Sequence, residues 1–177
     1  MAKILTVAQL GNPVLRKKAL PVEHIWDESV QELIANLMET LIAGNGVGIA
    51  APQVGESCRL LIVASRPTSR YPQAPEMPPT VMINPHILHH STSLVKDWEG
   101  CLSVPGIRGL VPRSDQIQVE YTCPEGKLHQ LEMIDFVARI FQHEYDHLEG
   151  IVFVDHVENT HEMMTEQEYQ RQIVGQV

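Results

Sequence analysis

The sequence predicts one domain that contains both α-helices and β-strands. Its 177 residues suffice for a single domain with its own hydrophobic core. Apolar residues recur at helical spacing in two segments, and shorter apolar or alternating runs have the length of strands. Turn-forming residues separate these runs, and no internal repeat or low-complexity segment divides the chain. We therefore expect one domain covering residues 1–177.

The composition excludes several functional classes. Hydrophobic residues make up 44% of the chain and charged residues 20%, which is ordinary for a globular domain. The net charge of −9 argues against nucleic acid or an anionic membrane as a direct partner. The start of the chain does not resemble a secretory signal, and three cysteines do not make a disulfide framework. We expect the cytoplasm, or an organelle interior in a eukaryotic source, and no membrane association.

The first half of the chain predicts an arm, a helix and a buried strand. Residues 1–26 combine turn signals with a mixed pattern, which predicts an extended arm on the surface. A helix is expected from Asp27, a candidate N-cap, to Gly44, where glycine ends it. Residues 59–64 form an apolar run typical of a buried strand. Five of the twelve prolines fall within residues 66–79 and predict a long loop.

The following segments predict short strands around a cluster of histidines. Residues 81–83 and 93–95 are strand candidates. His86, His89 and His90 lie between them without a helix or tight turn to orient them. A metal site is therefore less favoured there than solvated loop or strand-end positions.

The second half predicts a hairpin followed by a helix. Ile117, Val119 and Tyr121 alternate with polar residues, and residues 128–133 form the returning strand. A helix is expected from Asp135 to Leu148, then a short strand over residues 151–154. The Thr165-x-x-Glu168 pattern indicates a final short helix, whose polar composition predicts no part in chemistry.

The expected helix at residues 135–148 carries the strongest chemical signal. His143 and His147 lie four residues apart, so both imidazoles can face one metal ion. Glu144 follows the first histidine and is a candidate general base. This H-E-x-x-H pattern is typical of metal-dependent hydrolases. A surface helix with incidental charge is the alternative, and the apolar residues on its other faces argue against it.

The third ligand must come from another segment. Cys101 lies in the stretch Glu99-Gly100-Cys101-Leu102-Ser103, bounded by turn formers. A cysteine is more often a small buried apolar residue, but its thiolate is also a good ligand for zinc or iron. Two imidazoles and a thiolate would leave a fourth position open for water.

Three stretches together resemble the signature motifs of the peptide deformylases. They are Gly46-Val47-Gly48-Ile49-Ala50-Ala51-Pro52-Gln53, Glu99-Gly100-Cys101-Leu102-Ser103 and Gln142-His143-Glu144-Tyr145-Asp146-His147. The resemblance extends over roughly residues 4–157 and includes the arm around Gly11-Asn12-Pro13. It implies an α+β fold in which antiparallel strands wrap around a central metal-bearing helix. It also implies removal of the formyl group from the N-terminal formylmethionine of newly synthesised polypeptides.

The resemblance also implies roles for individual residues. Cys101, His143 and His147 would bind one divalent metal, most typically Fe²⁺, with Zn²⁺, Ni²⁺ or Co²⁺ as substitutes in purified protein. Glu144 would transfer protons. The Gln53 side-chain amide and the Leu102 backbone N–H would stabilise the oxyanion.

Further residues are candidates for substrate binding. By resemblance, Gly48 lies near the substrate backbone, where a missing side chain makes room. Val47, Phe136 and Ile140 are candidate walls of an apolar slot for methionine, with plain core residues as the alternative. Arg108 is a candidate for the pocket mouth, with a solvated surface arginine as the alternative. N-terminal formyl-Met peptides of nascent chains are the expected partner. Proximity to the ribosome is compatible with this role, although no basic patch in the sequence indicates it.

Two other functions remain open from the residues alone. A zincin-type metallopeptidase would take its third ligand from an acidic residue downstream, such as Glu158 or Glu162. A non-catalytic metal-binding module would use the ion to hold the fold together. The role of Cys101 separates the first from a deformylase, and the role of Glu144 separates the second.

Overall fold

The computed structural model describes residues 2–175. Three α-helices occur in this range: α1 (Glu28–Ala43), α2 (Asp135–Leu148) and α3 (Glu166–Tyr169). Eight strands form two antiparallel sheets. They are β1 (Gly48–Ala50), β2 (Leu60–Ser65), β3 (Met77–His90), β4 (Leu94–Cys101), β5 (Val104–Ser114), β6 (Gln116–Thr122), β7 (Leu128–Ile134) and β8 (Met163–Thr165). The expected α+β class with antiparallel strands is confirmed.

The larger sheet lies between the two long helices. Its strand order is β1-β2-β3-β6-β7, and every residue of β2 is buried. Leu61 and Val63 pack in the cluster that contains the apolar side of α2, whereas Leu60 and Ile62 pack in the cluster that contains α1. Alternate residues of a strand point to opposite faces, so one apolar strand fills both cores.

The helix α2 is central because strands of both sheets contact it. Ala138, Phe141 and Leu148 are fully buried against the larger sheet. The smaller sheet, in the order β4-β5-β8, also contacts α2 through β5. This arrangement brings the end of β4, where Cys101 lies, against the histidine-bearing face of α2. The predicted limits of α2 agree with the structure, and those of α1 agree to within one residue.

The N-terminal arm is tied to the body at several points. A short 3₁₀ turn, Pro13–Arg16, and an isolated bridge from Leu20 to Cys58 interrupt its irregular path between residues 2 and 26. Leu15 in the turn is fully buried. The Ala8 N–H donates to the Gln53 carbonyl, and the Leu10 N–H donates to the Ser103 carbonyl. The arm therefore contacts both short motifs that precede the histidine helix.

The predicted limits of two segments are wrong. Residues 151–154 do not form a strand, since Phe153–His156 is a 3₁₀ turn. The Asp155 carboxylate accepts a hydrogen bond from the Val152 N–H, and this contact outweighs the strand preference of the apolar residues. The proline-rich loop ends earlier than expected, because β3 already begins at Met77. In residues 2–175, no helix is long and apolar enough to cross a membrane.

Candidate metal centre and active site

The three expected metal ligands lie together. Cys101 ends β4, and His143 and His147 lie one turn apart on α2. Their potential ligand atoms all lie within 4.8 Å of one another, and the Cys101 Sγ is 3.3 Å from the His147 Nε2. One ion with bonds of about 2.0–2.3 Å fits between such atoms. Within the described range, no other group of three His, Cys, Asp or Glu side chains has this spacing.

The surroundings of Cys101 favour its thiolate form. Burial alone would raise the pKa of the thiol, but the imidazoles of His147 and His143 outweigh it and hold that pKa well below its ordinary value. The Sγ also accepts hydrogen bonds from the Gln53 Nε2 and the Ser103 N–H, both at 3.4 Å. Since the thiolate is the form that binds metal, the donor set suits a divalent cation.

Glu99 orients the ring of His143. The His143 Nδ1 donates to the Glu99 Oε2 at 2.8 Å, which leaves the Nε2 to face the metal position. Arg113 grips the same carboxylate with its Nε at 2.9 Å and its Nη2 at 3.0 Å, and the Arg139 Nη1 adds a contact at 2.9 Å. Burial opposes the charge on Glu99, but Arg113 and His143 hold its pKa well below the usual range.

This buried network reaches back to the histidine helix. The Arg113 Nη1 donates to the Asp146 Oδ2 at 2.6 Å, and the same oxygen lies 2.9 Å from the His156 Nε2. Asp146 occupies a variable position of the H-E-x-x-H pattern. Asp146 binds Arg113, Arg113 binds Glu99, and Glu99 binds the His143 ring. The orientation of His143 thus depends on a side chain from its own helix as well as on β4 and β5.

Glu144 lies within the site as a carboxylate with spare hydrogen-bonding capacity. It is 4% exposed, and its Oε2 has no hydrogen-bond partner among the described residues. Burial raises the pKa of its carboxyl to about 7, with His143 and His147 acting in the opposite direction. A carboxyl of this pKa exchanges protons readily near neutral pH. A buried unpaired oxygen next to metal ligands is typical of a group that meets water or substrate.

Gly48 makes room for this carboxylate. A Cβ on residue 48 would lie 2.5 Å from the Glu144 Oε1 and 2.7 Å from its Cγ. The resemblance assigned the missing side chain to the approach of substrate. That role stays a prediction, and Gly48 does line the cavity. The structure adds a second reason for glycine, because a side chain at this position would clash with the Glu144 carboxylate.

Gln53 is held with its amide turned toward Cys101. Its Oε1 accepts from the Ala50 N–H at 2.8 Å, which directs the Nε2 toward the Cys101 Sγ and the Ser103 Oγ. Leu102 follows Cys101 directly and lines the same cavity as Gln53. Gln53 precedes Cys101 in the sequence and Leu102 follows it. In the structure both predicted oxyanion donors lie beside Cys101.

A cavity of about 50 Å³ opens beside these groups. Val47, Phe136 and Ile140, the three candidate pocket walls, all line it, together with Gly48 and Glu144. Ile140 is 4% exposed and Phe136 is half-buried. The structure therefore brings the predicted apolar side chains to one cavity next to the metal ligands.

Arg108 lies elsewhere. Its side chain is fully buried, so the alternative of a solvated surface arginine is wrong. Its guanidinium donates to both carboxylate oxygens of Glu166 and to the Tyr71 hydroxyl. It lines a groove beside the main cavity and not the cavity itself.

The two acidic residues suggested as a third ligand for a zincin pair with a lysine away from the metal-ligand candidates. Glu158 and Glu162 both pair with the Lys96 ammonium at 2.8 Å. His86, His89 and His90 are exposed, as expected. His90 ends β3, whereas His86 and His89 lie inside the strand and not in a loop. None of these residues belongs to the described group of metal-ligand candidates.

Sequence reasoning missed the residues that support the ligands. Glu99 was part of a motif but received no role, although its position two residues before Cys101 places it on the same face of β4. Arg113 and Arg139 carried no local signal, because only the folded chain brings β5 and α2 to Glu99. Tyr71 and Trp98 also line the cavity. Neither belongs to a recognisable motif, since Tyr71 lies in the proline-rich loop and Trp98 in β4.

The antiparallel α+β fold and this site define a metallohydrolase of the H-E-x-x-H type, with a cysteine as the candidate third ligand. Residues 4–163 match the family model described as polypeptide deformylase. Peptide deformylase 2 of Nostoc sp. is 60% identical over 95% of this chain and 94% of that protein. Peptide deformylase 2 of Shewanella oneidensis is 41% identical over 94% of this chain and 91% of that protein.

Solved structures agree with the sequence relatives. The Met-Ala-Ser-bound class I type b peptide deformylase of Acinetobacter baumannii has a TM-score of 0.86 and 45% identity, covering 89% of this chain and 100% of that chain. The actinonin complex of a Synechococcus elongatus peptide deformylase has a TM-score of 0.79 and 37% identity, covering 89% of this chain and 81% of that chain. The chain belongs to the peptide deformylase family, and its fold and enzymatic class are those the motifs predicted.

Proposed function

We propose that this enzyme removes the formyl group from N-terminal formylmethionine with the residues assembled around Cys101, His143 and His147. The observation that carries the proposal is the buried, unpartnered Oε2 of Glu144 beside these three ligands. A carboxylate in that position serves water activation and has no evident use in a purely structural metal site.

A bound divalent ion would supply an acidified water molecule and a Lewis-acid contact for the formyl oxygen. Glu144 removes the proton from the attacking water and later delivers it to the amine that leaves. The Nε2 of Gln53 and the backbone N–H of Leu102 donate to the oxygen that becomes negative in the tetrahedral intermediate. Glu99 keeps the His143 ring in the orientation that binding requires.

The identity of the metal is also a proposal. Two imidazoles and a thiolate suit Fe²⁺ and Zn²⁺ alike, and the affinity order does not decide which ion a cell inserts. We favour Fe²⁺, with Zn²⁺, Ni²⁺ or Co²⁺ replacing it in purified protein. Metal analysis of protein purified without oxygen, beside the activity of each reconstituted form, tests this choice.

The cavity supports a preference for methionine. Val47, Phe136 and Ile140 offer an apolar surface to a long, flexible side chain. A formyl group is the smallest acyl group, so a narrow site excludes larger ones by bulk. Since β1 is an edge strand and begins at Gly48 in the cavity lining, its backbone can pair with the backbone of a bound peptide.

The remaining expectations concern location. A single catalytic domain that acts on new polypeptides would work in the cytoplasm, or in an organelle interior, close to the ribosome. Co-sedimentation of the protein with translating ribosomes, compared with non-translating ones, tests this placement.

The assay that tests the function uses three peptides. The enzyme should release formate from formyl-Met-Ala-Ser and leave acetyl-Met-Ala-Ser unchanged. A longer peptide without a formyl group should remain uncut, whereas a zincin-type peptidase would cleave it internally. Failure to release formate with the metal fully loaded would contradict the proposal.

A further inference from the structure

The cavity beside the metal ligands shares a wall with a second void. A groove of about 460 Å³ lies next to it, and residues of the proline-rich loop and of the C-terminal segment contribute to its lining. Four residues line both spaces: Arg70, Tyr71, Trp98 and Phe136. Residues that face both voids form the partition between them. We propose that Tyr71 and Trp98 are specificity-determining residues. They close one end of the cavity that accepts the methionine side chain of the substrate, and so limit the length of the side chain that fits.

A continuous series of contacts between planar groups holds the side chains of the partition. The Tyr71 ring packs on the Phe136 ring, with centroids 4.8 Å apart. The Arg108 guanidinium lies 5.1 Å from the Tyr71 centroid on one side and 4.6 Å from the Tyr169 centroid on the other. The Tyr169 ring then meets the Trp98 ring edge-on at 6.0 Å. Such aromatic and cation–π contacts each favour one orientation of the rings.

Hydrogen bonds and ion pairs stabilise this series of contacts. The Arg108 Nη1 donates to the Tyr71 hydroxyl at 2.6 Å, and its Nε donates to the Glu166 Oε2 at 2.6 Å. The guanidinium also lies against the backbone of Gly100, where a Cβ would be 2.8 Å from its Cζ. Arg108 thus acts as a positioning residue for the Tyr71 side of the wall.

The loop that carries Tyr71 is itself tied down. The Arg70 Nη2 donates to the Asn45 carbonyl at 2.6 Å, and the Tyr169 hydroxyl donates to the Arg70 carbonyl. The wall therefore draws on the proline-rich loop, on β4 and on the C-terminal segment. The final short helix, whose sequence predicted no part in chemistry, supplies Glu166 and Tyr169 to the back of this wall.

A fixed wall has a direct consequence for selectivity. This inference rests on the proposed function, in which the cavity accepts the methionine side chain. A side chain a few methylenes longer would meet Tyr71 and Trp98, whereas removal of either ring would join the cavity to the groove. In apolar pockets, one methylene is worth roughly 10–200-fold in discrimination, so the change should be easy to measure.

The test compares two peptides, formyl-Met-Ala-Ser and its analogue with 2-aminooctanoic acid in place of methionine. We expect Trp98→Ala and Tyr71→Leu to raise kcat/KM for the longer substrate relative to formyl-Met by about tenfold or more. Trp26→Ala, which removes an exposed tryptophan, is the matched control and should leave the ratio unchanged. Tyr71→Phe loses the hydroxyl but keeps the ring contacts with Phe136 and Arg108, so it should also keep the wild-type preference.

Thermal unfolding and metal content identify variants that fold. If Trp98→Ala does not fold, Trp98→Leu takes its place in the comparison. If folded variants at both positions keep the wild-type ratio of kcat/KM values while the wild type turns over formyl-Met normally, Tyr71 and Trp98 do not limit side-chain length. The proposed function would still stand. Absence of formyl-Met turnover by the wild type would overturn the proposed function itself.

Discussion

A methyl group on Gly48 would lie 2.5 Å from the Oε1 of Glu144, closer than real Cβ contacts allow. The Glu144 side chain therefore fills the space that a side chain at position 48 would need, so the first and third motifs form one site. This contact explains why the edge strand and the histidine helix can approach so closely. It also gives the most direct test of the position of Glu144.

We expect Gly48→Ala to lower kcat strongly while the metal stays bound, because the added methyl group must displace the Glu144 side chain. Steady-state kinetics with a formyl-Met peptide and metal analysis provide the measurement. Gly109→Ala is the matched control, since its Cβ would meet the Val157 Cγ2 at 2.7 Å. That control should lower the unfolding temperature and leave kcat near the wild-type value. Equal kcat values in the two variants would contradict the expected role of Gly48.

Replacement of the general base should separate chemistry from metal binding. We expect Glu144→Gln to lower kcat by roughly 10²–10⁴-fold, the usual contribution of general acid–base catalysis, with the metal content unchanged. Glu144→Asp keeps the carboxylate on a shorter side chain and should recover part of the activity. Wild-type rates in Glu144→Gln would rule out the assigned proton transfer.

The sulfur ligand should be essential for metal retention. We expect Cys101→Ala to lose its metal on dialysis and with it the hydrolysis of formyl-Met, because two imidazoles alone hold a divalent ion weakly. Cys123→Ala, in the hairpin between β6 and β7, is the matched control and should retain both. A Cys101→Ala protein that keeps its metal and activity would favour the zincin alternative.

The carboxylate behind His143 should control metal affinity without touching substrate. We expect Glu99→Gln to weaken metal binding by about 10–100-fold, because an amide orients the imidazole less firmly. The variant should also unfold more easily, by about 3 kcal/mol, since Arg113 and Arg139 lose their buried counter-charge.

Competition with a chelator measures the affinity of Glu99→Gln, and denaturant titration measures its free energy of unfolding. Glu132→Gln changes an exposed glutamate on β7 and should alter neither quantity. Wild-type metal affinity in Glu99→Gln would show that the hydrogen bond to His143 does not orient the ligand.

Several features of this protein could be predicted because they depend on short-range pattern. The limits of α2 follow from apolar spacing and from Gly150, which follows it. His143 and His147 share a helical face by geometry alone. The choice of Cys101 as third ligand needed a resemblance across three motifs, and its sulfur indeed lies beside the His147 Nε2.

Other features arise only when distant segments meet. Glu99 receives Arg113 from β5 and Arg139 from α2, and no spacing in the chain indicates that both guanidinium groups converge on one carboxylate. Arg108 is buried because Glu166 and Tyr71, which lie 58 and 37 residues away in the chain, accept hydrogen bonds from its guanidinium. Residues 151–154 had a strand-like composition, and one side-chain contact from Asp155 turned part of them into a helical turn.

The sequence by itself determined the chemistry of this protein: two imidazoles and a carboxylate on one helix, a cysteine earlier in the chain, and apolar runs sufficient for two cores. The tertiary structure alone decided which side chains orient those ligands and which close the pocket. The physical reason is that metal-ligand and helix patterns are local in the chain. Buried charges and pocket walls, in contrast, are satisfied by whichever segments the folded sheets bring within hydrogen-bonding distance.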